Sequence, residues 1–220
     1  MSLELSVVAL GLVVLLADLW LPAERKRMLG YAAAAALTLL LINSFIGQCS
    51  CHTDGTTAGG MFIQDALSGF FKRFFLLAAV LVLVLAVEFS DRIAAGVSEY
   101  YSLIIFALAG MLFAASANDF AMLFVSIELI TITFYVLTSF TRSKVASLEA
   151  GVKYLILGAL SSAFMVYGIA LVWGTTGKFN FNQLAQVASQ FADNKVFLFG
   201  VLFVLVGLGF KIAEIGRAHV

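Results

Sequence analysis

Three charged side chains interrupt long apolar runs in this chain, and they are the groups that could do chemistry. Glu128 lies within Phe120-Ala121-Met122-Leu123-Phe124-Val125-Ser126-Ile127-Glu128-Leu129-Ile130-Thr131. Lys211 follows Val206-Gly207-Leu208-Gly209-Phe210, and Lys153 opens a third apolar segment. An ionised carboxylate in hydrocarbon costs about 2.5 kcal/mol or more even on lenient insertion scales, so it is kept where it is paired, hydrated, protonated or used. Carboxyl and amine groups exchange protons. Apolar segments carrying one acid and two amines therefore suggest a charge pathway rather than a simple anchor.

The position of each group decides how much weight it bears. Counted from a helix start near Asp119, Glu128 lies about 13 Å along the axis, near the midplane of a core about 30 Å thick. Counted from Val196, Lys211 lies about 22 Å along its axis, past the midplane. Gly207 and Gly209 weaken the helix before it and permit a break or water entry. Lys153 sits only a few residues into its segment. Glu149 lies four residues earlier, the favourable order for a helix pair, and a salt bridge with a snorkelling stem accounts for it. The blander account of Glu128 is a carboxylate locked to a neighbouring helix, with Ser126, Thr131 and Thr133 adding polarity. For Lys211 it is an amine snorkelling to the interface. Asp18, with Trp20 and Pro22, and Trp173 read as interfacial. Gly158 and Ser162 have the small-xxx-small spacing of close helix packing.

The elements that must carry these groups are helices in a membrane. Hydrophobic residues make up 62% of the 220 residues, charged residues 12%, and mean hydropathy is +1.05. Soluble domains are about 45–50% apolar and about 25% charged, so a soluble core is excluded. One proline and long continuous apolar runs favour an all-α bundle over a barrel. About seven spans are expected, near residues 5–21, 29–46, 74–89, 101–115, 120–140, 152–173 and 196–213, forming one bundle over 1–213. Short interfacial helices are expected over Met61–Lys72 and Lys178–Asn194. The zero net charge and absence of a basic tail argue against nucleic-acid binding. Cys49, Cys51 and His52 are too few for a zinc site, so no metal is expected, and the thiols read as free or loosely paired.

Charge placement orients the bundle. Arg25-Lys26-Arg27 follows the first apolar run, and Met1-Ser2-Leu3-Glu4 lacks the basic region of a signal peptide. The N-terminus is therefore expected outside. Arg92, Arg142 and Lys144 then fall in cytoplasmic loops, and Lys72, Arg73, Lys178 and Lys195 in outer ones.

The order of these motifs resembles a known family. Ala117-Asn118-Asp119-Phe120, Ser126-Ile127-Glu128-Leu129 and Tyr135-Val136-Leu137 are similar to the N-type antiporter-like membrane subunits of bacterial NADH:quinone oxidoreductase, respiratory complex I. So are Glu149-Ala150-Gly151-Val152-Lys153-Tyr154-Leu155-Ile156-Leu157-Gly158-Ala159, Tyr167-Gly168, Thr176-Gly177 and Val206-Gly207-Leu208-Gly209-Phe210-Lys211. The resemblance covers roughly Gly60 to Ala213. It implies a fold of about fourteen helices with two inverted repeats of about five helices, of which this chain is the N-terminal half. It also implies that Glu128 and Lys211 form the functional pair for proton translocation, with Lys153 as a third participant. NADH, FMN, iron–sulfur clusters and quinone would be bound by other subunits, leaving no cofactor in this chain. Its partners would be the other membrane and peripheral subunits and the lipid of the bacterial inner membrane. The segment Ile212-Ala213-Glu214-Ile215-Gly216-Arg217-Ala218-His219-Val220 departs from the family, where a Pro-Phe-His-x-Trp-type segment is expected. Residues 214–220 read as a truncated or misread gene end.

The expected function is a proton-translocation half-channel coupled to electron transfer from NADH to quinone. The alternatives are a subunit of a multi-subunit cation/proton antiporter and a non-transporting membrane scaffold. No Gly-x-Gly-x-x-Gly motif opens a helix after a strand, so no dinucleotide site is expected here.

Overall fold

The computed structural model describes residues 2–22, 26–46, 55–57, 59–90 and 96–212. Cys49, Cys51 and His52, and the tail 214–220, lie outside these residues. The helices are α1 (Ser2–Ala17), α2 (Lys26–Ile46), α3 (Ala66–Phe89), α4 (Val97–Ala114), α5 (Phe120–Thr138), α6 (Val145–Thr176), the short α7 (Phe181–Val187) and α8 (Lys195–Lys211). A two-stranded antiparallel ribbon, β1 (Gly55–Thr57) and β2 (Phe62–Gln64), precedes α3. Helices α2 to α6 are each long and apolar enough to cross a membrane, while the apolar α1 and α8 run for 16 and 17 residues. The protein is an all-α, multi-pass membrane bundle. Many leucines and valines point outward, Leu85 and Leu39 among them, as a lipid-facing surface requires.

Local chemistry sets several boundaries. The interfacial helix expected over Met61–Lys72 is replaced by β2 and the first turns of α3. Asp65 stops the ribbon: its side chain accepts from the Ser68 amide at 2.7 Å, while Ser68 Oγ accepts from the Asp65 amide at 3.0 Å. This capping box starts α3 eight residues before the expected span, and it carries Lys72 and Arg73 into the helix instead of a loop. The first helix ends at Ala17, so Asp18 sits in the following turn and pairs with Lys26 at 2.7 Å. Over the expected lateral helix Lys178–Asn194, Asn180 caps α7, and a 3-10 turn follows at residues 188–191.

Two apolar clusters divide the bundle. Val7, Leu37, Leu76, Leu83, Ile105 and Leu108 join α1 to α4. Phe120, Met165, Ile169, Val172, Phe197 and Val204 join α6 and α8 to the start of α5. At the end where α3 and α5 begin, hydrogen bonds from side-chain and backbone amides tie three connections together. The Gly60 carbonyl accepts from Asn118 Nδ2 at 2.8 Å and from Asn180 Nδ2 at 2.9 Å. The Asn118 amide donates to Met61, and its carbonyl accepts from Phe181. Buried polar backbone is thereby satisfied, and the start of α5 is fixed against the start of α7.

The seam between α6 and α8 depends on small residues. A Cβ at Gly168 would lie 2.6 Å from the Gly200 carbonyl oxygen, and one at Gly207 would lie 2.7 Å from the Met165 Cβ. Ser161 Oγ donates to the Gly207 carbonyl at 2.8 Å. Close backbone approach of this kind is how helices associate without a hydrophobic driving force between them. It carries the end of α8 to the middle of α6.

Candidate functional site

Three helices deliver one side chain each to a single polar cluster. Asp119 caps α5, accepting from the Met122 amide at 2.6 Å, and Glu128 follows about 13 Å further along the axis. Ser162 lies near the middle of the 32-residue α6. Lys211 is the last residue of α8, about 24 Å from its start. The Lys211 ammonium donates directly to Glu128 Oε1. It also donates to Ser162 Oγ at 2.9 Å, and Ser162 Oγ donates to the same Glu128 Oε1 at 2.5 Å. A second acceptor for the serine hydroxyl, the Gly158 carbonyl, stands at 3.1 Å.

The environment is apolar but not sealed. The Lys211 side chain is 5% exposed and that of Glu128 is 22%. A carboxylate and an ammonium at this depth offset each other's desolvation, and the hydroxyl satisfies one further valence of each. Chemically, the cluster holds a proton donor, a proton acceptor and a hydroxyl that can do both. Helix packing positions it. Gly158 faces Tyr135 of α5 so closely that a Cβ there would overlap the phenol oxygen, which holds α6 against α5. The seam above holds α8 against α6.

Sequence reasoning placed Glu128 and Lys211 on separate spans, and the structure brings them into contact. Lys153 stands apart. Its amine pairs with Glu149 at 2.9 Å, with both side chains more than half exposed, as the i, i+4 spacing suggested. It lies about 14 Å from the Ser162 level along α6. The hydroxyls of Ser126, Thr131 and Thr133 do not join the cluster. Each donates to a carbonyl of its own helix three or four residues back, the usual option for Ser and Thr in a helix interior. By its spacing from Gly158, Ser162 reads from the sequence only as a small packing residue. A hydroxyl at mid-span was the available signal, and its i−4 backbone option concealed it.

A second buried ion pair was also missed. Lys72 Nζ of α3 lies 2.6 Å from Glu4 Oε1 of α1, with side chains 9% and 1% exposed. From the sequence alone Lys72 falls in an outer loop, whereas the structure places it within α3. The signal lay in the matched positions of the two charges, near the starts of two helices that enter from the same end. Its neighbour Arg73 stacks on the Phe45 ring at 4.6 Å.

Comparison with known proteins places this arrangement. The family model described as NADH:quinone oxidoreductase/Mrp antiporter, TM, matches residues 117–216, which contain all three cluster residues. The NADH-quinone oxidoreductase subunit N of Desulforamulus reducens is 36% identical over 212 residues, 96% of this chain and 44% of that protein. Subunit N of Moorella thermoacetica is 33% identical over 98% of this chain and 44% of that protein. Among solved structures, respiratory complex I from Thermus thermophilus with bound aureothin contains a chain that superposes with a TM-score of 0.72 at 27% identity. The match covers 96% of this chain and 44% of that one. The membrane-bound sulfane sulfur reductase, an archaeal respiratory complex, matches with a TM-score of 0.73 at 23% identity and shares the fold. The chain spans about 44% of the length of these two relatives. It belongs to the family of antiporter-like membrane subunits found in NADH:quinone oxidoreductases and Mrp antiporters, where the relatives it matches are N subunits.

Proposed function

We propose that this chain supplies a proton-translocating half-channel within the N subunit of an NADH:quinone oxidoreductase (NDH-1, complex I), a respiratory translocase. The observation that carries the reading is the Glu128–Lys211 contact at mid-span, in a chain whose relatives are N subunits. Attraction between unit charges 4 Å apart at an effective dielectric near 20 is about 4 kcal/mol, which sets the scale of a conformational or electrostatic pulse able to open the pair. Opening it withdraws the carboxylate that stabilises the ammonium, and the amine releases its proton onward. Closing it favours reloading from the cytoplasmic side. Lys153, on the same helix as Ser162, tunes or relays this exchange from the helix start.

The rest of the complex supplies the redox chemistry. Other membrane and peripheral subunits bind NADH, FMN, the iron–sulfur clusters and quinone. The assembly lies in the bacterial inner membrane with this chain's N-terminus outside. Arg142 and Lys144 at the end where α5 finishes support that orientation, as does the placement of Lys72 and Arg73 in α3 rather than in an outer loop. A second reading, a subunit of a multi-subunit cation/proton antiporter, is favoured by the breadth of the family match, which covers both kinds of protein.

The test uses the full-length subunit in its assembled complex, reconstituted in vesicles. NADH-driven proton uptake is measured for Glu128→Gln and Lys211→Ala. Both are expected to lose most of it. Wild-type pumping in both variants would refute the proposal, and sodium-dependent transport without NADH oxidation would favour the antiporter reading.

A further inference from the structure

We infer that Ser162 carries a proton between Lys211 and Glu128 and gates that transfer by rotating its hydroxyl; the inference rests on the proton-handling role proposed for the pair. The hydroxyl is placed to do both. It accepts from Lys211 Nζ at 2.9 Å while donating to Glu128 Oε1 at 2.5 Å, forming a continuous N–H to O–H to carboxylate chain. The serine belongs to α6, which packs on both α5 and α8, and from there its hydroxyl reaches both partners.

The transfer balances without any further reactant. One Lys211 Nζ–H bond breaks as a new O–H bond forms at Ser162 Oγ. The original Ser162 O–H bond breaks as an O–H bond forms at Glu128 Oε1. An ammonium and a carboxylate become a neutral amine and a neutral acid, and the serine ends as it began. No charge rests on the serine, which suits an apolar surrounding.

The second acceptor makes the relay switchable. When the hydroxyl donates to the Gly158 carbonyl at 3.1 Å, its proton no longer points at Glu128 and the chain is broken. Ser126, Thr131 and Thr133 have only carbonyls of their own helix as acceptors. Ser162 alone among these four has both a carboxylate and a carbonyl within reach, and it alone touches both members of the ion pair.

The experiment measures NADH-driven proton uptake in vesicles containing the assembled complex with the full-length subunit. Variants are Ser162→Ala, Ser162→Thr and Glu128→Gln, each normalised to the amount of assembled complex. Ser162→Ala is expected to pump at least fivefold more slowly than wild type, and Ser162→Thr, which keeps the hydroxyl, to return within twofold of it. If Ser162→Ala does not assemble, Ser162→Val replaces it with the same expected loss, because valine has the shape of the threonine variant without its hydroxyl. Wild-type pumping in the variant lacking the hydroxyl, beside lost pumping in Glu128→Gln, overturns the relay and leaves the ion pair standing. Equal loss in Ser162→Ala and Ser162→Thr overturns the role of the hydroxyl. Wild-type pumping in Glu128→Gln overturns the underlying reading of the pair.

Discussion

Among the described residues, two buried ion pairs sit in one bundle, and they differ in what surrounds them. Glu4 and Lys72 join α1 to α3 near the helix starts, 1% and 9% exposed, at the edge of the cluster formed by Val7, Leu76 and Leu83. Glu128 and Lys211 meet in mid-span, where α5, α6 and α8 converge, with Glu128 22% exposed and a serine hydroxyl bonded to both. The first pair is sealed and bridges two helices. The second is bridged by a hydroxyl that accepts from one partner and donates to the other. The two pairs differ in their depth along the helices and in the serine hydroxyl that bridges the second.

The largest expected effect tests the sealed pair. Lys72→Ala breaks the buried pair with Glu4, and breaking such a pair costs about 3–5 kcal/mol. The assembled complex should fall sharply in yield and in thermal midpoint. The joint substitution Glu4→Leu with Lys72→Leu should restore most of that loss, because a buried ion pair and an apolar pair of similar volume are often of comparable stability. Glu128→Gln keeps an amide oxygen that can accept from Lys211 and Ser162, so assembly should fall less than in Lys72→Ala while pumping is lost. Equal effects of the two single substitutions on assembly would erase the contrast.

The next effect acts on geometry. Gly207→Val places a side chain against Met165 and the Ser161 carbonyl, and overpacking of this kind costs about 1–3 kcal/mol. It should push α8 from α6 and carry Lys211 away from Ser162. A lower thermal midpoint together with reduced pumping is expected, and a shift in only the midpoint would show that the seam does not position the cluster.

A smaller effect concerns the start of α3. The Ser68 amide and hydroxyl beside Asp65 hold its carboxyl below the usual aspartate range, with burial opposing. Asp65→Ala should cost about 1 kcal/mol at neutral pH, a typical cap contribution. Because the folded carboxyl is the stronger acid, that contribution is complete above the ordinary value of about 3.9 and fades as pH falls through the lower folded value. The stability difference between wild type and Asp65→Ala, followed by thermal melting in detergent, should therefore shrink below about pH 4. The smallest effect belongs to Lys153→Ala. Its exposed pair with Glu149 is worth about 0.3–0.5 kcal/mol, so stability should hardly change, and a reduced pumping rate is the readout of its tuning role.

Much of this was legible in the sequence because the membrane makes the rules strict. Continuous apolar runs give the helices, and a charge within one stands out against them. Glu128 and Lys211 were found that way, and the Glu149–Lys153 spacing foretold an exposed pair. The contact between Glu128 and Lys211 could not be derived from spacing, since it depends on how far α8 slides along α6, and the glycines of that seam set this in three dimensions. Ser162 was hidden because serine serves equally as a packing residue and as a donor. Lys72 was misplaced because an apolar count starts a helix where the hydrophobic residues thicken. Asp65 and Ser68 start it earlier by satisfying backbone amides.

The central claim is that Glu128 gains and loses a proton as the complex turns over. Infrared difference spectroscopy on vesicles of the assembled complex, compared before and during NADH oxidation, reads this directly as a carbonyl band of a protonated carboxylic acid. We expect a band that changes on energisation in wild type and is missing in Glu128→Gln. Identical difference spectra from the two proteins at equal NADH oxidation would contradict the account.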